Sequence, residues 1–225
     1  MALIHWFIDV VIHLPDHLVA LTSEYGTTTY AILAAIIFCE TGLVVTPFLP
    51  GDSLLFAAGA VAAMGQLDVT LLYFILIAAA ICGDNLNYFI GRRAGERIIE
   101  GSFPLISRFV KRKHVERTQR FFAKRGARTI VLARFVPILR TFAPFVAGVG
   151  RMPYGTFLAF SIGGGLAWCG IFLFAGYGFG TLPWVKEHFG ALVIAIILIS
   201  LVPMVVEVIK ARREEREQGE GQPEG

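Results

Sequence analysis

The sequence predicts an all-α integral membrane protein built as an inverted repeat, in which two opposed re-entrant helical hairpins accompany about three full spans and an N-terminal interfacial helix. Three observations support this fold class. Apolar residues make up 56% of the 225 residues and charged residues only 16%, and the mean hydropathy is +0.67. The apolar residues are grouped in stretches close to the length that crosses a bilayer. Prolines interrupt two of these stretches, and the cations are concentrated after the first 91 residues.

The N-terminal 23 residues are predicted to form an amphipathic helix in the plane of the membrane interface, because polar and apolar side chains fall on opposite faces at helical spacing. The polar face carries His5, Asp9, His13, Asp16 and His17. No basic segment or small-residue cleavage site marks these residues as a signal peptide, so we expect them to be retained. Two of the histidines are four positions apart, as metal ligands can be, but a solvated polar face is the simpler interpretation and no metal site is expected.

Three segments are long enough to span the membrane: residues 69–91, 154–178 and 190–209. Each contains about 20 residues or more, which at 1.5 Å per residue crosses a hydrocarbon core about 30 Å thick. We predict that each forms one transmembrane helix.

Two further apolar regions, residues 30–64 and 129–150, are too broken to be simple spans. Proline removes a backbone donor and clashes with the preceding helical turn, and too few apolar residues follow the first break for a second crossing. We predict that both regions are re-entrant hairpins. Their breaks are assigned to Pro47, Pro50, Gly51, Pro137 and Pro144.

The distribution of cations predicts the orientation. The first 91 residues contain no Lys or Arg, whereas residues 92–128 contain twelve of the twenty. Loops rich in cations stay on the cytoplasmic side. Residues 1–210 are predicted to form a single membrane domain, and residues 211–225 a disordered tail. If residues 129–150 are re-entrant, this tail lies on the cytoplasmic side, as the basic segment does. A polybasic segment beside a bilayer favours anionic headgroups over nucleic acid, so no nucleic-acid partner is expected.

The two halves of the chain resemble each other at short motifs. Residues 47–59 resemble residues 137–148, and Tyr88-x-x-Gly91 resembles Tyr177-x-x-Gly180. Inverted repeats whose broken helices meet near the midplane form the substrate sites of many secondary transporters. Shared membrane composition would produce part of this similarity, so the repeat is an expectation for the structure to test.

Ionisable residues inside the apolar regions mark the candidate site. A charged side chain at mid-bilayer costs about 2.5–3.5 kcal/mol on insertion scales and is found beside a counter-charge, a water-filled cavity or a ligand. Arginine presents a planar fork of donors that matches phosphate oxygens, whereas carboxylates suit proton uptake. We predict that the substrate phosphate is bound by Arg134, Arg140 and Thr141. Proton coupling is assigned to Glu40, Asp52 and Asp84.

The same charged residues have a purely structural interpretation, as buried ion pairs that hold the hairpin tips together. Asp84 could equally form hydrogen bonds within the helix bundle. Arg134 and Arg140 lie about 120° apart on a straight helix, so their convergence requires the break at Pro137. Gly163-Gly164-Gly165 lies inside an apolar span without a following Lys, which favours close helix packing over a nucleotide loop.

Four ordered motifs resemble the DedA family of bacterial inner-membrane proteins over about residues 20–210. The motifs are Phe38-Cys39-Glu40-Thr41-Gly42, Pro47-x-x-Pro50-Gly51-Asp52, Arg134-Phe135-Val136-Pro137-x-x-Arg140-Thr141 and Gly176-Tyr177-x-x-Gly180. The resemblance implies two opposed re-entrant hairpins, a fold related to eukaryotic VTT-domain lipid scramblases, and a role in moving lipids. Undecaprenyl phosphate recycling is proposed for some members and dependence on the proton motive force for others. The family's acidic pair falls on Glu40 and Asp52 and its arginine pair on Arg134 and Arg140.

Chemistry and resemblance together predict a multi-pass inner-membrane translocase for an anionic lipid, either a polyprenyl phosphate such as undecaprenyl phosphate or a phospholipid, coupled to protons and without a cofactor. A proton-coupled exporter of small cationic solutes is the alternative, since the acids would then bind the solute. No enzyme is expected, because all five histidines lie outside the hairpins and no Gly-x-Ser-x-Gly occurs. The identity of the lipid and the oligomeric state stay open.

The predicted orientation can be tested by labelling single cysteines in a background without the native ones. A cysteine at Gln66 is expected to react with an impermeant thiol reagent added to intact cells, because no cation precedes Arg92. A cysteine at Gln119 is expected to react only after permeabilisation. Labelling of the second position from outside would contradict the topology.

Overall fold

The computed structural model describes residues 14–43, 51–99, 122, 126–180, 182, 183, 185, 191 and 195. Over this part of the chain the fold is entirely helical, with seven α-helices and one 3-10 turn. Several predicted features lie outside the described residues: the first 13 residues, the breaks at Pro47 and Pro50, most of the basic segment 92–128, most of the span 190–209, and the tail 211–225.

The helices follow one another in this order: α1 Leu14–Tyr25, α2 Thr28–Gly42, α3 Gly51–Ala63, α4 Val69–Ile99, the 3-10 turn Gly126–Arg128, α5 Thr129–Ala133, α6 Pro137–Val149 and α7 Tyr154–Phe179.

Two helices are long and apolar enough to cross a membrane, Val69–Arg93 within α4 and Tyr154–Phe179, which is α7. They confirm the helices predicted over residues 69–91 and 154–178. Only 33% and 39% of their most apolar windows are buried inside the protein, so much of each apolar surface faces outward. Phe74 and Ile171 are 61% and 55% exposed, as expected of side chains that contact lipid rather than water.

The helix α4 is longer than predicted. It continues past residue 91 to Ile99, into the segment that the charge pattern assigned to a cytoplasmic connection. Arg92 and Arg93 lie over the rings of Tyr88 and Phe89, at 6.0 and 5.8 Å from the ring centroids. These contacts, one helical turn apart, favour continuation of the helix beyond its apolar part.

The helices of the two broken regions are short. α2 has 15 residues and α3 and α6 have 13 each, or about 20–23 Å at 1.5 Å per residue, less than a hydrocarbon core. The second region is interrupted at residues 134–136, and Pro137 then begins α6, where a missing N–H is tolerated. Pro144 lies inside α6, and the helix continues through it. The helix break predicted at Pro144 is therefore not found.

The main core is formed by α2, α3, α4 and α7, and α1 packs against it through Leu18, which is buried, while His17 is exposed. A second contact area joins α6 to α4. Each short helix α3 and α6 thus packs along one of the two long helices.

Glycines allow the backbones to touch at both of these contacts. Between α3 and α7, Gly59 faces the backbone of Leu173 and Gly176 faces that of Phe56. Between α6 and α4, Gly148 faces the backbone of Tyr88, and Gly91 faces that of Phe145. A Cβ on any of these four glycines would collide with the facing backbone, so larger residues are excluded. The pairs Phe56/Phe145 and Gly59/Gly148 have the same sequence separation, which makes the two contacts equivalent in position.

The α3–α7 contact can be tested with two glycines of one helix. Gly176→Ala places a Cβ against the Phe56 backbone and is expected to lower stability by about 1–3 kcal/mol. Gly178→Ala, where nothing lies within 4 Å of the new atom, is expected to keep or raise stability because alanine is the better helix former. The measurement is the thermal unfolding midpoint in detergent. Equal midpoints for the two variants would contradict the close packing.

Candidate functional site

Two buried ion clusters lie between the broken helices and the long helices. The first, called here the Arg140 cluster, contains Arg140, Glu40, Asp52 and Trp168. Arg140 Nη1 donates to Asp52 Oδ1 at 2.8 Å, and Nη2 donates to the Glu40 carboxylate. Arg140 is 4% exposed, Asp52 8% and Glu40 fully buried. Charges so far from solvent are retained only when they are paired, as here.

Helix ends position the members of the Arg140 cluster. Arg140 lies in the first turn of α6, where its N–H donates to the Val136 carbonyl at 2.8 Å. Glu40 is near the end of α2 and accepts the Gly51 N–H at 3.1 Å, so it also satisfies a donor at the start of α3. A Cβ at Gly51 would collide with the Glu40 carboxylate. Glycine at this position therefore lets the carboxylate reach both the helix start and the arginine.

Trp168 on α7 completes the Arg140 cluster, and sequence analysis missed it. Its Nε1–H donates to Asp52 Oδ1 at 2.8 Å, and its ring is 4.9 Å from Arg140 Cζ. The same ring is 5.9 Å from Arg134 Cζ, so Trp168 is near both arginines. A single tryptophan in an apolar helix gives no sequence signal for such a role, because aromatic side chains are common there.

The second cluster, called here the Arg134 cluster, contains Arg134, Asp84 and Ser161. Arg134 Nη2 donates to the Asp84 carboxylate, which also accepts the Ser161 hydroxyl at 2.6 Å. Ser161 Oγ is 3.5 Å from Arg134 Nη2. Arg134 is 2% exposed and Asp84 2%. Asp84 thus forms hydrogen bonds within the helix bundle, and its role in proton coupling stays a prediction.

The glycines of α7 make room for the Arg134 side chain. A Cβ at Gly164 would lie 2.9 Å from Arg134 Cδ and 3.1 Å from Nε, and one at Gly165 would lie 3.7 Å from Nη2. Gly163, in contrast, has nothing within 4 Å of an added Cβ. The triple glycine therefore packs against Arg134 at its second and third positions.

Thr141 is buried beside Arg140, and its backbone carbonyl accepts Asn87 Nδ2 at 2.6 Å. Asn87 Nδ2 also lies 3.3 Å from the Thr41 carbonyl, so one side chain of α4 joins α2 and α6. Sequence analysis predicted neither these hydrogen bonds of Asn87 nor the hydrogen bond from Ser161 to Asp84. A neutral polar residue on an apolar helix gives no sign of its partner.

The structure thus brings the predicted charged residues together as two clusters. Three carboxylates, those of Glu40, Asp52 and Asp84, lie beside two guanidinium groups, so full ionisation would leave the site with excess negative charge. Some buried polar atoms have no hydrogen-bond partner within the described part of the chain: Glu40 Oε2, Arg134 Nε, Arg134 Nη1 and Arg140 Nε. Buried polar atoms without a partner are rare in proteins, and a ligand, a water molecule or an ion usually satisfies them. The described residues hold no group of three or more His, Cys, Asp or Glu side chains arranged to bind a metal.

Two helices of membrane-spanning length, together with buried ion pairs on the short helices between them, are the features of a helical integral membrane protein. The VTT domain family matches residues 49–178, and the chain belongs to the DedA family of membrane proteins, as its motifs predicted.

The chain is 48% identical over 215 residues to Protein DedA of Escherichia coli (strain K12). The aligned region covers 95% of this chain and 97% of that protein. It is 39% identical over 211 residues, 93% of this chain and 91% of the other, to an uncharacterized membrane protein of Mycobacterium tuberculosis (strain ATCC 25618 / H37Rv). Inner membrane protein YghB of Escherichia coli (strain K12) is 31% identical over 176 residues, 78% of each chain. No solved structure matches significantly.

The bond from Trp168 to Asp52 can be tested by a double-mutant cycle. Trp168→Phe keeps an aromatic ring but removes the Nε1–H donor, and is expected to lower stability by about 1–3 kcal/mol because Asp52 loses a buried partner. In an Asp52→Asn background the same change is expected to cost less, since a neutral acceptor depends less on that donor. Thermal or denaturant unfolding in detergent measures both effects. Strictly additive effects would show that the two side chains do not interact.

Proposed function

We propose that the protein moves an anionic lipid across the bacterial inner membrane, either a polyprenyl phosphate such as undecaprenyl phosphate or a phospholipid, together with protons. The observation that carries the proposal is the burial of Arg134 and Arg140 on a broken segment between membrane-length helices, each beside carboxylates from other helices. Guanidinium groups in such surroundings offer a charge and a donor geometry that a lipid phosphate requires and that hydrocarbon cannot supply.

The proposed architecture has two re-entrant hairpins that enter from opposite faces, α2 with α3 and α5 with α6. The short helices support it, because each is too short to cross the hydrocarbon core alone. The equivalent glycine contacts of α3 with α7 and of α6 with α4 support an internal repeat. In this arrangement the hairpin tips bring charged groups from both halves to one place, as in other transporters with broken helices.

The proposed location is the inner membrane, with the basic segment 92–128 and the C-terminus in the cytoplasm. The name of one relative, Inner membrane protein YghB, supports the location, and the absence of cations before Arg92 supports the orientation. The proposal requires no cofactor and no covalent chemistry.

The carboxylates are the proposed proton-binding groups. An anionic headgroup that binds a guanidinium competes with the carboxylates already paired there. A buried carboxylate that loses its counter-charge takes up a proton more readily, so headgroup binding and protonation would favour each other. Glu40, Asp52 and Asp84 are the groups able to act in this way.

The excess of carboxylates favours one second candidate, a proton-coupled exporter of small cationic solutes. In that case the three acids would bind the solute or a proton in turn, and the arginines would limit how many acids are ionised at once. The two candidates differ in the charge of the transported molecule, which can be measured directly.

We expect the purified protein in liposomes to move a labelled polyprenyl phosphate and not a labelled cationic solute, with a rate that depends on pH. Glu40→Gln and Asp52→Asn, which keep shape but cannot ionise, are expected to flatten that dependence. Asp68→Asn is the matched control, because Asp68 is exposed and Asn can still accept the Leu71 N–H.

Transport of the cation alone would overturn the lipid proposal in favour of the second candidate. An unchanged pH profile in folded Glu40→Gln and Asp52→Asn proteins would show that these carboxylates are structural partners of Arg140 and do not couple protons to transport.

A further inference from the structure

We infer that Arg134, and not Arg140, binds the anionic headgroup, and that Asp84 is the counter-ion which the headgroup displaces. The Arg140 cluster then keeps its ion pairs while the headgroup binds, and protonation of Glu40 or Asp52 affects binding only through the charge of the site. This inference rests on the proposed function, since it assigns positions to a substrate that carries a phosphate or similar oxyanion.

The two arginines differ in how many of their nitrogen atoms are occupied. Arg140 has Nη1 on Asp52 and Nη2 on Glu40, which leaves only Nε without a partner among the described residues. Arg134 has only Nη2 engaged, while Nε and Nη1 have no partner in the described chain although the residue is 2% exposed. Buried donors without acceptors point to a ligand that supplies the acceptors.

Because Asp84 binds Nη2 of Arg134, an oxyanion that displaces Asp84 can form two hydrogen bonds with the guanidinium group. Nη2 belongs to both two-nitrogen edges of the guanidinium fork, and each edge has one further nitrogen that is unpartnered. An oxyanion that replaces Asp84 at Nη2 can therefore use Nε or Nη1 as its second donor and bind bidentately. On Arg140 the same exchange would require displacement of Glu40 from Nη2, would leave only Nε as the second donor, and would keep the Asp52 carboxylate on Nη1 beside the anion.

The charges of the two clusters favour the same assignment. Arg140 lies beside two carboxylates, so the ionised cluster is net negative and repels an anion. Arg134 lies beside one carboxylate, so its cluster is net neutral and becomes positive when Asp84 leaves or is neutralised. An anion is therefore repelled less at the Arg134 cluster than at the Arg140 cluster, and it is attracted to Arg134 once Asp84 leaves or is neutralised.

The surroundings of the two arginines differ in how firmly they hold the side chain. In the Arg140 cluster Glu40 has Gly51 N–H and Asp52 has Trp168 Nε1–H as a second donor, and together the bonds join α2, α3, α6 and α7. Asp84 also has a second donor, the Ser161 hydroxyl, but its bonds join only α4, α7 and the turn before α6. Displacement of Asp84 therefore breaks fewer contacts between helices than displacement of Glu40 or Asp52.

The test measures binding to the full-length protein in detergent by titration calorimetry. Dodecyl phosphate is the lipid-like probe, inorganic phosphate the free anion, dodecanol the uncharged control and dodecyltrimethylammonium the cationic one. Asp84→Asn and Asp52→Asn each remove one negative charge beside one arginine, so they are matched for long-range electrostatics. We expect Asp84→Asn to bind dodecyl phosphate about threefold to tenfold more tightly than the wild type and to gain more affinity than Asp52→Asn. Asp68→Asn, at an exposed position outside both clusters, is the control expected to bind like the wild type.

A second pair of variants carries the test if Asp84→Asn does not fold. Gly164→Ala places a Cβ against Cδ and Nε of Arg134 and is expected to weaken dodecyl phosphate binding about tenfold, since a misplaced fork loses its bidentate geometry. Gly163→Ala, on the same helix with open space around the new atom, is expected to leave binding unchanged. Unfolding midpoints are measured for all variants.

A larger gain in affinity on removal of the Asp84 charge than on removal of the Asp52 charge supports the inference, because a purely structural ion pair would lose stability without gaining affinity. An equal or larger gain in Asp52→Asn, or no difference between the paired glycine variants while the wild type binds dodecyl phosphate, overturns the inference and leaves the proposed function standing. Binding of dodecyltrimethylammonium but not dodecyl phosphate by the wild type overturns the proposed function itself. Inorganic phosphate bound as tightly as dodecyl phosphate supports the role of Arg134 but makes a free anion the ligand.

Discussion

The arrangement of the short helices depends on the buried ion pair of Arg140 with Glu40 and Asp52. These residues come from α6, α2 and α3, and they are 4%, 0% and 8% exposed. An arginine left alone in such a place would be a buried charge without compensation, and removing one partner of a buried pair costs about 3–5 kcal/mol. The pair therefore favours only conformations in which all three helices converge. Trp168 adds α7 to the same point through its bond to Asp52.

Convergence of several helices on one point requires that their backbones approach closely. In lipid no hydrophobic effect drives helices together, so contact area and hydrogen bonds must do so, and small residues increase both. Gly59 and Gly176 serve the contact of α3 with α7, and Gly91 and Gly148 serve that of α4 with α6. The glycines and the ion clusters therefore act together, because the ion pairs specify which helices meet and the glycines let them come close enough for those pairs to form.

Sequence reasoning predicted the long helices and the charged residues, and the physical reasons are clear. A long apolar run is a strong signal, so α4 and α7 were predicted within a few residues at their starts. A charge in an apolar segment is equally conspicuous. What the sequence could not provide was the pairing, since spacing along the chain does not say that Arg134 faces Asp84 while Arg140 faces Glu40 and Asp52.

Two further results show the same limit of sequence reasoning. Convergence of the two arginines was predicted to require the break at Pro137, and the helix is interrupted at residues 134–136, directly before Pro137. Both guanidinium groups are found near the Trp168 ring. Pro144, in contrast, was assigned as a break although α6 continues through it. Proline excludes one backbone hydrogen bond, but whether a helix ends there depends on the packing on either side, and α6 is held along its length by α4.

A buried ion pair can serve stability or function, and the two clusters suggest how one protein combines them. The proposed transport of an anionic lipid requires a firm frame, because the fixed charges must keep their positions while the substrate moves. It also needs a guanidinium whose partner can be replaced, because a saturated ion pair offers the substrate nothing to bind. The Arg140 cluster, whose bonds join four helices, has the properties of the frame. The Arg134 cluster, with two guanidinium nitrogens that have no partner in the described chain and a single carboxylate, has those of the exchangeable pair. The Trp168 ring is near both guanidinium groups, so the two clusters share one aromatic side chain.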